Sequence, residues 1–401
     1  MVLSLIYSAV LAVAAIPFIY YLIAIFSAWH FFRASSTENA NGRNFTPPAS
    51  ILKPVRGEDP DAYENYASFC RQNYPEYEIV FCVGDRNDPA LGIIERVIRD
   101  FPACKIRVLF GSGRVATNDK VAKLARLVNE ARYEHLVIND SDVRAEPDYL
   151  STVVAPLADP KVGAVTCFYA PTDEKTLAQH LQSVGMLSDF YAGILVAWQL
   201  DGVKFALGPT IATTRKRLAE FGGYEALENR PADDLLVGRL LAEQGHEVKL
   251  LSYSVLTVAD YDSLHDLFNK RLRWIVVMRK MRPWGHIGLI FTLGLPWALA
   301  AAAVGPTIGV AAGFLGTYLA FRWLMIWLIG SWGLKHRVSW QKYALVPVWD
   351  VMAAIIWLVS FTRSTIMWRG HRYYLREGQL VPAVRIREQK VPEEEAVNTG
   401  S

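Results

Sequence analysis

Apolar and polar positions are distributed unevenly along this 401-residue chain. The first 32 residues, MVLSLIYSAVLAVAAIPFIYYLIAIFSAWHFF, contain no Asp, Glu, Lys or Arg. That run exceeds the roughly 20 residues a helix needs to cross a bilayer, and it predicts a transmembrane helix over 1–32. A cleaved signal peptide is the rival; the length of the run and its lack of a basic start argue against it. From 45 to about 259 the pattern changes to short β-rich runs, at 78–83, 106–110 and 135–139, separated by amphipathic helical stretches. Such alternation predicts a water-soluble α/β domain over 45–284, with a parallel-type sheet covered by helices. After Pro283 the apolar character returns. Runs 285–305 and 307–333 are long enough to span, and 343–361 is a shorter candidate, giving a membrane region over 285–362 with two or three spans. The strong charges inside these runs are Arg322 and Asp350, which are expected to meet packing partners or to lie near the interface.

Composition agrees with this division. Mean hydropathy is +0.16, above the usual value for a soluble domain, because the apolar residues are concentrated in the runs just named. With 52% hydrophobic and 20% charged residues the chain is not a disordered one. A net charge of +3 argues against a nucleic-acid surface spread along it. The basic residues gather instead beside the apolar runs: Arg33, Arg43, Lys53 and Arg56 after the first, and Lys270, Arg271, Arg273, Arg279, Lys280 and Arg282 before the second. The positive-inside rule therefore places the soluble domain in the cytoplasm. Two further spans bring the chain back at Lys335, His336, Arg337 and Lys342. A third full span would leave Arg363, Arg369, Arg372 and Arg376 outside. Either the last segment lies in the interface or re-enters, or the rule fails there. The 363–401 tail is basic and then acidic, and its end from Val391, VPEEEAVNTGS, has a composition that predicts disorder. Cys70, Cys82, Cys104 and Cys167 form no CxxC pair, so they read as reduced residues rather than a disulfide framework or a zinc site.

Three acidic sites stand out in the soluble part. Asp85 follows the run IVFCVG, and Asp140-Ser141-Asp142 follows HLVIN. Residues just beyond the carboxyl ends of strands meet in the crevice where α/β sheets bind ligands. Taken alone, a DxD triplet is more often a turn or a helix cap. At a strand end its carboxylates suit Mg²⁺ or Mn²⁺, which are bound by one or two carboxylates together with the phosphates of a substrate. A diphosphate ligand follows from that. Asp233-Asp234 opens a helix-like stretch whose buried side is marked by Leu235, Leu236, Val237, Leu240 and Leu241. Capping explains one of these carboxylates more easily than two. A carboxylate at a cleft edge is also placed to take a proton from an attacking hydroxyl. Lys270-Arg271-Leu272-Arg273-Trp274 either anchors the chain at anionic headgroups, or closes the cleft with a cation against a departing diphosphate. Both readings stay open at this level.

In this order, the sites resemble the ceramide glucosyltransferase family, lipid-directed glycosyltransferases of the GT-A fold (family 2/21-like). The resemblance is carried by Ile51-Leu52-Lys53-Pro54 with Gly57, Asn73-Tyr74-Pro75, Cys82-Val83-Gly84-Asp85, Asp88-Pro89-Ala90, Asn118-Asp119-Lys120-Val121, Asp140-Ser141-Asp142, Ala232-Asp233-Asp234 and Arg273-Trp274. It covers roughly 50–285 and the N-terminal anchor. It implies an α/β Rossmann-like nucleotide-diphospho-sugar transferase domain with N- and C-terminal transmembrane helices, in a bacterial member of the family held as a multi-pass protein in a bacterial-type inner (cytoplasmic) membrane. The implied roles are Asp85 at the nucleotide, Asn118 and Lys120 near the diphosphate, and Asp140 and Asp142 on the metal and sugar nucleotide. Asp234 would be the catalytic base, and Arg273 with Trp274 the element engaging diphosphate and acceptor. Lys270 opens that element where the family usually has Gln or Arg. Ser188-Asp189 stands where eukaryotic members carry His-Pro, and Phe205-Ala206-Leu207-Gly208-Pro209-Thr210 departs from their acceptor-side loop. The reaction implied is inverting transfer of glucose from UDP-glucose to ceramide or a ceramide-like lipid, with Mg²⁺ or Mn²⁺ as cofactor. A hopanoid-linked N-acetylglucosaminyltransferase is the alternative within the class. A receptor or transporter with a cation-binding α/β domain is a distant one, disfavoured by the small number of spans.

Overall fold

The computed structural model describes residues 2–38, 45–114, 116–258, 261–305, 307–368, 371–376 and 378–383. Arg43, Ala259, Arg369 and the tail from Val391 lie outside the described residues. The N-terminal apolar run forms two helices, Val2–Ala14 and Ile16–Glu38, and its stretch Tyr7–Ser35 is long and apolar enough to cross a membrane. The break near Ala15 precedes Pro17, which has no N–H to donate and crowds the carbonyl four residues back.

Eight strands form the central sheet: β1 (Ala49–Pro54), β2 (Tyr77–Val83), β3 (Ile106–Phe110), β4 (His135–Ile138), β5 (Val143–Arg144), β6 (Val162–Pro171), β7 (Ile211–Thr214) and β8 (Glu247–Thr257). Their order is β3-β2-β1-β4-β7-β6-β8-β5. The three runs read as strands from the sequence are β2, β3 and β4. Strands β1 to β4 pair in parallel, with Leu52 beside both Val80 and Ile138. That register brings the ends of β1, β2 and β4 to one edge. These strands read as continuous apolar runs because both faces are covered. Leu52, Val80 and Cys82 share a cluster with Val121, Leu124 and Leu127 of helix Asp119–Glu130. On the other face, Ile51 and Phe81 pack with Tyr66, Phe69, Ile94 and Val97 of helices Ala62–Cys70 and Ala90–Asp100. Each fully buried Val, Leu, Ile or Phe stabilises this core by roughly 1.5–3 kcal/mol relative to exposure.

The second half of the sheet is mixed, where a parallel-type sheet was expected. β7 runs antiparallel between β4 and β6, and β5 runs antiparallel to β8. After β6 the chain leaves for helices Leu177–Gly185 and Tyr191–Asp201 and re-enters as β7 from the end at which β6 left, so no crossover carries it back to the end where β6 began. The fold also brings Cys70 and Cys104 into thiol contact although they are distant in sequence; all four cysteines are free.

Beyond helix Leu264–Met281 the expected 285–305 span is broken. The segments Pro283–Phe291 and Gly294–Val304 meet at 45°. Tyr21 of the N-terminal run closes the break: its hydroxyl donates to Thr292 O at 3.0 Å and accepts from Gly294 N at 2.8 Å. Any side chain at position 294 would collide with the Tyr21 ring. Broken backbone in an apolar setting persists where neighbouring groups satisfy it in this way. The run Ile308–Gly333 follows as a second long apolar helix, and Trp340–Ser360 as a third.

Arg322 and Asp350 are packing partners, as expected. The Arg322 guanidinium donates to Ser188 O and Asp189 Oδ1, each at 2.7 Å, and to Asp350, while Tyr318 donates to Asp350 at 2.7 Å. Both ends of helix Trp340–Ser360 touch the α/β unit or its flanking helix. Lys342 Nζ lies 2.6 Å from Glu174 and 2.9 Å from Ser183 at the start, and Arg279 donates to Phe361 O at 3.2 Å at the end. Next comes a three-stranded antiparallel sheet that the sequence pattern did not announce, β9 (Thr365–Trp368), β10 (His371–Arg376) and β11 (Gln379–Pro382). It is tied to the α/β unit by Leu380 N donating to Asn229 O at 2.7 Å. A 21-residue helix, about 31 Å long, thus has both ends on the same body.

Candidate active site

The site lies where β1, β2 and β4 end together. Asp88 staples the first two of the loops that follow: its Oδ1 accepts from Gly57 N at 3.0 Å and Ala90 N at 3.1 Å. Asp85 lies beside it in the loop after β2, exposed, with Oδ1 accepting from Asn87 N at 2.7 Å. Lys53 is the one charged side chain of β1 and is fully buried. Its ammonium sits 3.8 Å from the Phe69 ring centre and donates to Asp140 O at 3.1 Å.

The DxD loop and the Asp233-Asp234 helix start form one cluster. Lys120 Nζ lies 2.7 Å from Asp140 Oδ1 and 3.3 Å from Asp233 Oδ2. Gly208 lies against both carboxylates: a Cβ there would lie 3.1 Å from Asp234 Oδ2 and 3.3 Å from Asp140 Oδ2. The loop 205–210 thus lies directly against the cluster, and a methyl group at that point would need the carboxylate ends to shift by a few tenths of an ångström. Ala232, just before the helix, takes a left-handed φ of 57°, a strained conformation for a residue with a side chain. Asp59 joins from the loop after β1, accepting a hydrogen bond from Ser141 Oγ.

Five carboxylates here face two lysines, and their acidities respond. Burial pushes Asp142 up to about 7, helped by the charges of Asp140 and Asp59 and opposed by Lys53. Burial and then the neighbouring Asp233 push Asp234 up to about 6, against Lys120 and the backbone bond from Leu235 N. Burial lowers Lys53 to about 7 despite Asp142 and Asp140. Burial pulls the Lys120 ammonium down as well, but Asp140, Asp233 and Asp234 outweigh it and hold it well above the usual lysine range. Uncompensated negative charge of this kind suits a divalent cation. Among the described residues no group of three His, Cys, Asp or Glu is placed to hold an ion by itself. Asp140 and Asp142 are the two carboxylates that could share such a cation with a substrate diphosphate.

Asn118 lies in the second rank. It is buried, caps helix Asp119–Glu130 by accepting from Val121 N, and donates to Arg230 O at 3.1 Å. Its polar atoms tie the start of that helix, two residues from Lys120, to the loop leading into Asp233.

The basic element lies on helix Leu264–Met281. Val258 N donates to Asp142 O at 3.2 Å, which ties the end of β8 to the DxD loop, and the Lys270 ammonium sits 4.5 Å from the ring centre of Tyr261 just beyond. Trp274 packs on Phe190 with ring centres 5.8 Å apart. Arg273 is half-buried on the same helix. The sequence reading gave Arg271 no role of its own within the basic element; it is buried between Trp274 and Trp349 and donates to Gln182 Oε1 at 2.8 Å. The element therefore packs on helix Trp340–Ser360, and it is β8, earlier in the chain, that bonds the DxD loop. Lys53, Asp59 and Gly208 also had no assigned role at the sequence level. A lone lysine in a strand was a usable signal for the first; Asp59 and Gly208 carry none.

The profile of glycosyl transferase family 21 matches residues 9–381. The chain is 23% identical over 368 residues to ceramide glucosyltransferase 1 of Caenorhabditis elegans, covering 88% of this chain and 77% of that protein. A stretch of 139 residues is 32% identical to the ceramide glucosyltransferase of Komagataella phaffii, covering 32% of this chain and 27% of that one. Among solved structures, the mannosyltransferase PcManGT from Pyrobaculum calidifontis, in complex with GDP-Man and Mn²⁺, superimposes with a TM-score of 0.56 at 19% identity, over 86% of this chain and 99% of that one. That likeness establishes a mixed α/β GT-A-like fold flanked here by long apolar helices.

Proposed function

The chain belongs to glycosyl transferase family 21 as a ceramide glucosyltransferase-like hexosyltransferase, and on that premise we propose that it transfers glucose from UDP-glucose to the primary hydroxyl of ceramide or a ceramide-like lipid. The observation that carries this reading is the convergence of Asp234 and Asp140 on Gly208, with Lys120 bonded to Asp140. Asp85 receives the nucleotide, and Lys120 the diphosphate. Asp140 and Asp142 hold Mg²⁺ or Mn²⁺, which when bound supplies positive charge against the diphosphate oxygens. The Asp234 carboxylate takes the proton of the acceptor hydroxyl while the oxygen of that hydroxyl bonds to the sugar anomeric carbon and the bond from that carbon to UDP breaks. This single displacement inverts the centre and yields a β-glycoside. A carboxylate raised to about 6 is ionised near neutral pH and still basic enough for that step. Arg273 and Lys120 meet the charge growing on UDP, and Lys270 and Trp274 border the acceptor.

A lipid acceptor accords with the long apolar helices, which hold the cleft beside a bilayer. The loop carrying Lys335 and Arg337 lies on the side of the α/β unit, with His336 Nε2 2.8 Å from Ser254 Oγ of β8. With basic residues gathered on that side, the domain faces the cytoplasm of a bacterial-type inner membrane, and helix Trp340–Ser360 lies along the interface. The test is purified protein supplied with UDP-glucose and ceramide. Metal-dependent UDP release and a hexosylceramide identified by mass support the assignment. Transfer only from UDP-N-acetylglucosamine to a hopanoid polyol would replace both substrates.

A further inference from the structure

A second charged site lies away from the carboxylate cluster. Lys204, Arg239 and Arg282, together with Ala242 and Glu243, line one cavity of about 410 Å³. The three cations come from separate elements: the turn after helix Tyr191–Asp201, helix Asp233–Glu243, and the end of helix Leu264–Met281. Lys204 Nζ lies 2.6 Å from Asp201 Oδ1, and Arg239 Nε lies 2.7 Å from Glu243 Oε1. The Arg282 side chain is exposed, and among the described residues no carboxylate is paired with it. Three cations against two carboxylates leave one positive charge, carried by a guanidinium whose planar fork suits phosphate oxygens.

The cavity's surroundings specify the kind of phosphate. Arg282 directly precedes Pro283, where the bent apolar pair begins, and Trp284 is 83% exposed. Lys204 lies four residues beyond Leu200, which is 72% exposed. The same helix packs Trp198 against Phe31 at 5.0 Å, near the end of the N-terminal apolar run. Large apolar side chains without protein cover, one a tryptophan beside an arginine, belong at the level of lipid headgroups. A soluble anion would gain nothing from Leu200 and Trp284, whereas the acyl chains of a lipid would cover them.

We propose that this cavity binds the phosphodiester of an anionic phospholipid, with Arg282 as its principal contact and Lys204 and Arg239 beside it. The site rests on the apolar helices spanning a bilayer and is independent of which sugar or acceptor the enzyme uses.

The test uses the full chain in nanodiscs of phosphatidylcholine with or without phosphatidylglycerol. Native mass spectrometry counts the phosphatidylglycerol retained, and thermal unfolding reads the stabilisation it confers. Wild type is expected to keep one more phosphatidylglycerol than Arg282→Gln, with an unfolding midpoint raised by that lipid only in wild type. Arg282→Lys, which keeps the charge, restores part of the retention and controls for misfolding. UDP release in phosphatidylcholine alone should be equal for all three. Equal retention and equal midpoints in wild type and Arg282→Gln would overturn the site. So would a full shift produced by inorganic phosphate in detergent, or failure of the protein to enter nanodiscs.

Discussion

The Lys120 ammonium and the Asp140 carboxylate sit 2.7 Å apart, with Asp233 completing the pair at 3.3 Å. One lysine thereby neutralises part of the DxD loop and part of the helix that presents Asp234. Its charge also opposes the rise in the Asp234 pKa. Replacing it, as in Lys120→Gln, should cut turnover with UDP-glucose about a hundredfold by removing a cation from the diphosphate. The same change should move the acid limb of the rate profile to higher pH. An unmoved limb would show that Lys120 and Asp234 are not coupled.

For the wild type, the base must be ionised to act. Asp234 is raised to about 6, so it loses its charge as pH falls through that value. We expect kcat/KM to be level above about pH 6 and to drop tenfold per unit well below it, for the free enzyme at saturating metal. Asp234→Asn should abolish transfer and leave no such limb. A profile flat down to pH 4 would remove Asp234 from the role of base.

Gly208→Ala tests the close approach of the loop to the carboxylates. The added methyl would press on Asp234 and Asp140 at 3.1 and 3.3 Å, closer than ordinary contacts. Displacement of a base by a fraction of an ångström should lower turnover about tenfold to a hundredfold. Thermal stability should change little, because the methyl meets carboxylate ends at the cleft rather than core. Unimpaired turnover would mean that the carboxylates move freely.

Arg322 holds Asp189, Asp350 and the Ser188 carbonyl together, almost fully buried. Arg322→Met leaves two carboxylates without their cation. Breaking such a buried pair costs about 3–5 kcal/mol, read as a lower unfolding midpoint in detergent. Asp350→Asn should cost less, since the amide can still bond Tyr318 and Arg322. A larger loss for Asp350→Asn would indicate that the carboxylate, not the guanidinium, organises the contact.

Much of this arrangement is visible in residue order. The apolar runs, the strands β2, β3 and β4, and the acidic sites at their ends are local patterns, each set by side chains within a few positions of one another. Their order along the chain already resembled one family of glycosyltransferases. Contacts between distant segments are not written that way. Nothing local marks β7 as antiparallel, because strand direction depends on where the intervening helices leave the chain. Nor does the run 285–305 show its own break, which persists because Tyr21, more than 270 residues earlier, bonds the freed backbone. Lys53, Asp59, Gly208 and Arg271 acquire their places only when strand ends, loop and membrane-side helix converge. Sequence alone determined the chemical groups and the segments able to meet a membrane; the tertiary structure decided which charges share one cleft, because burial and Coulomb interaction depend on distances in space.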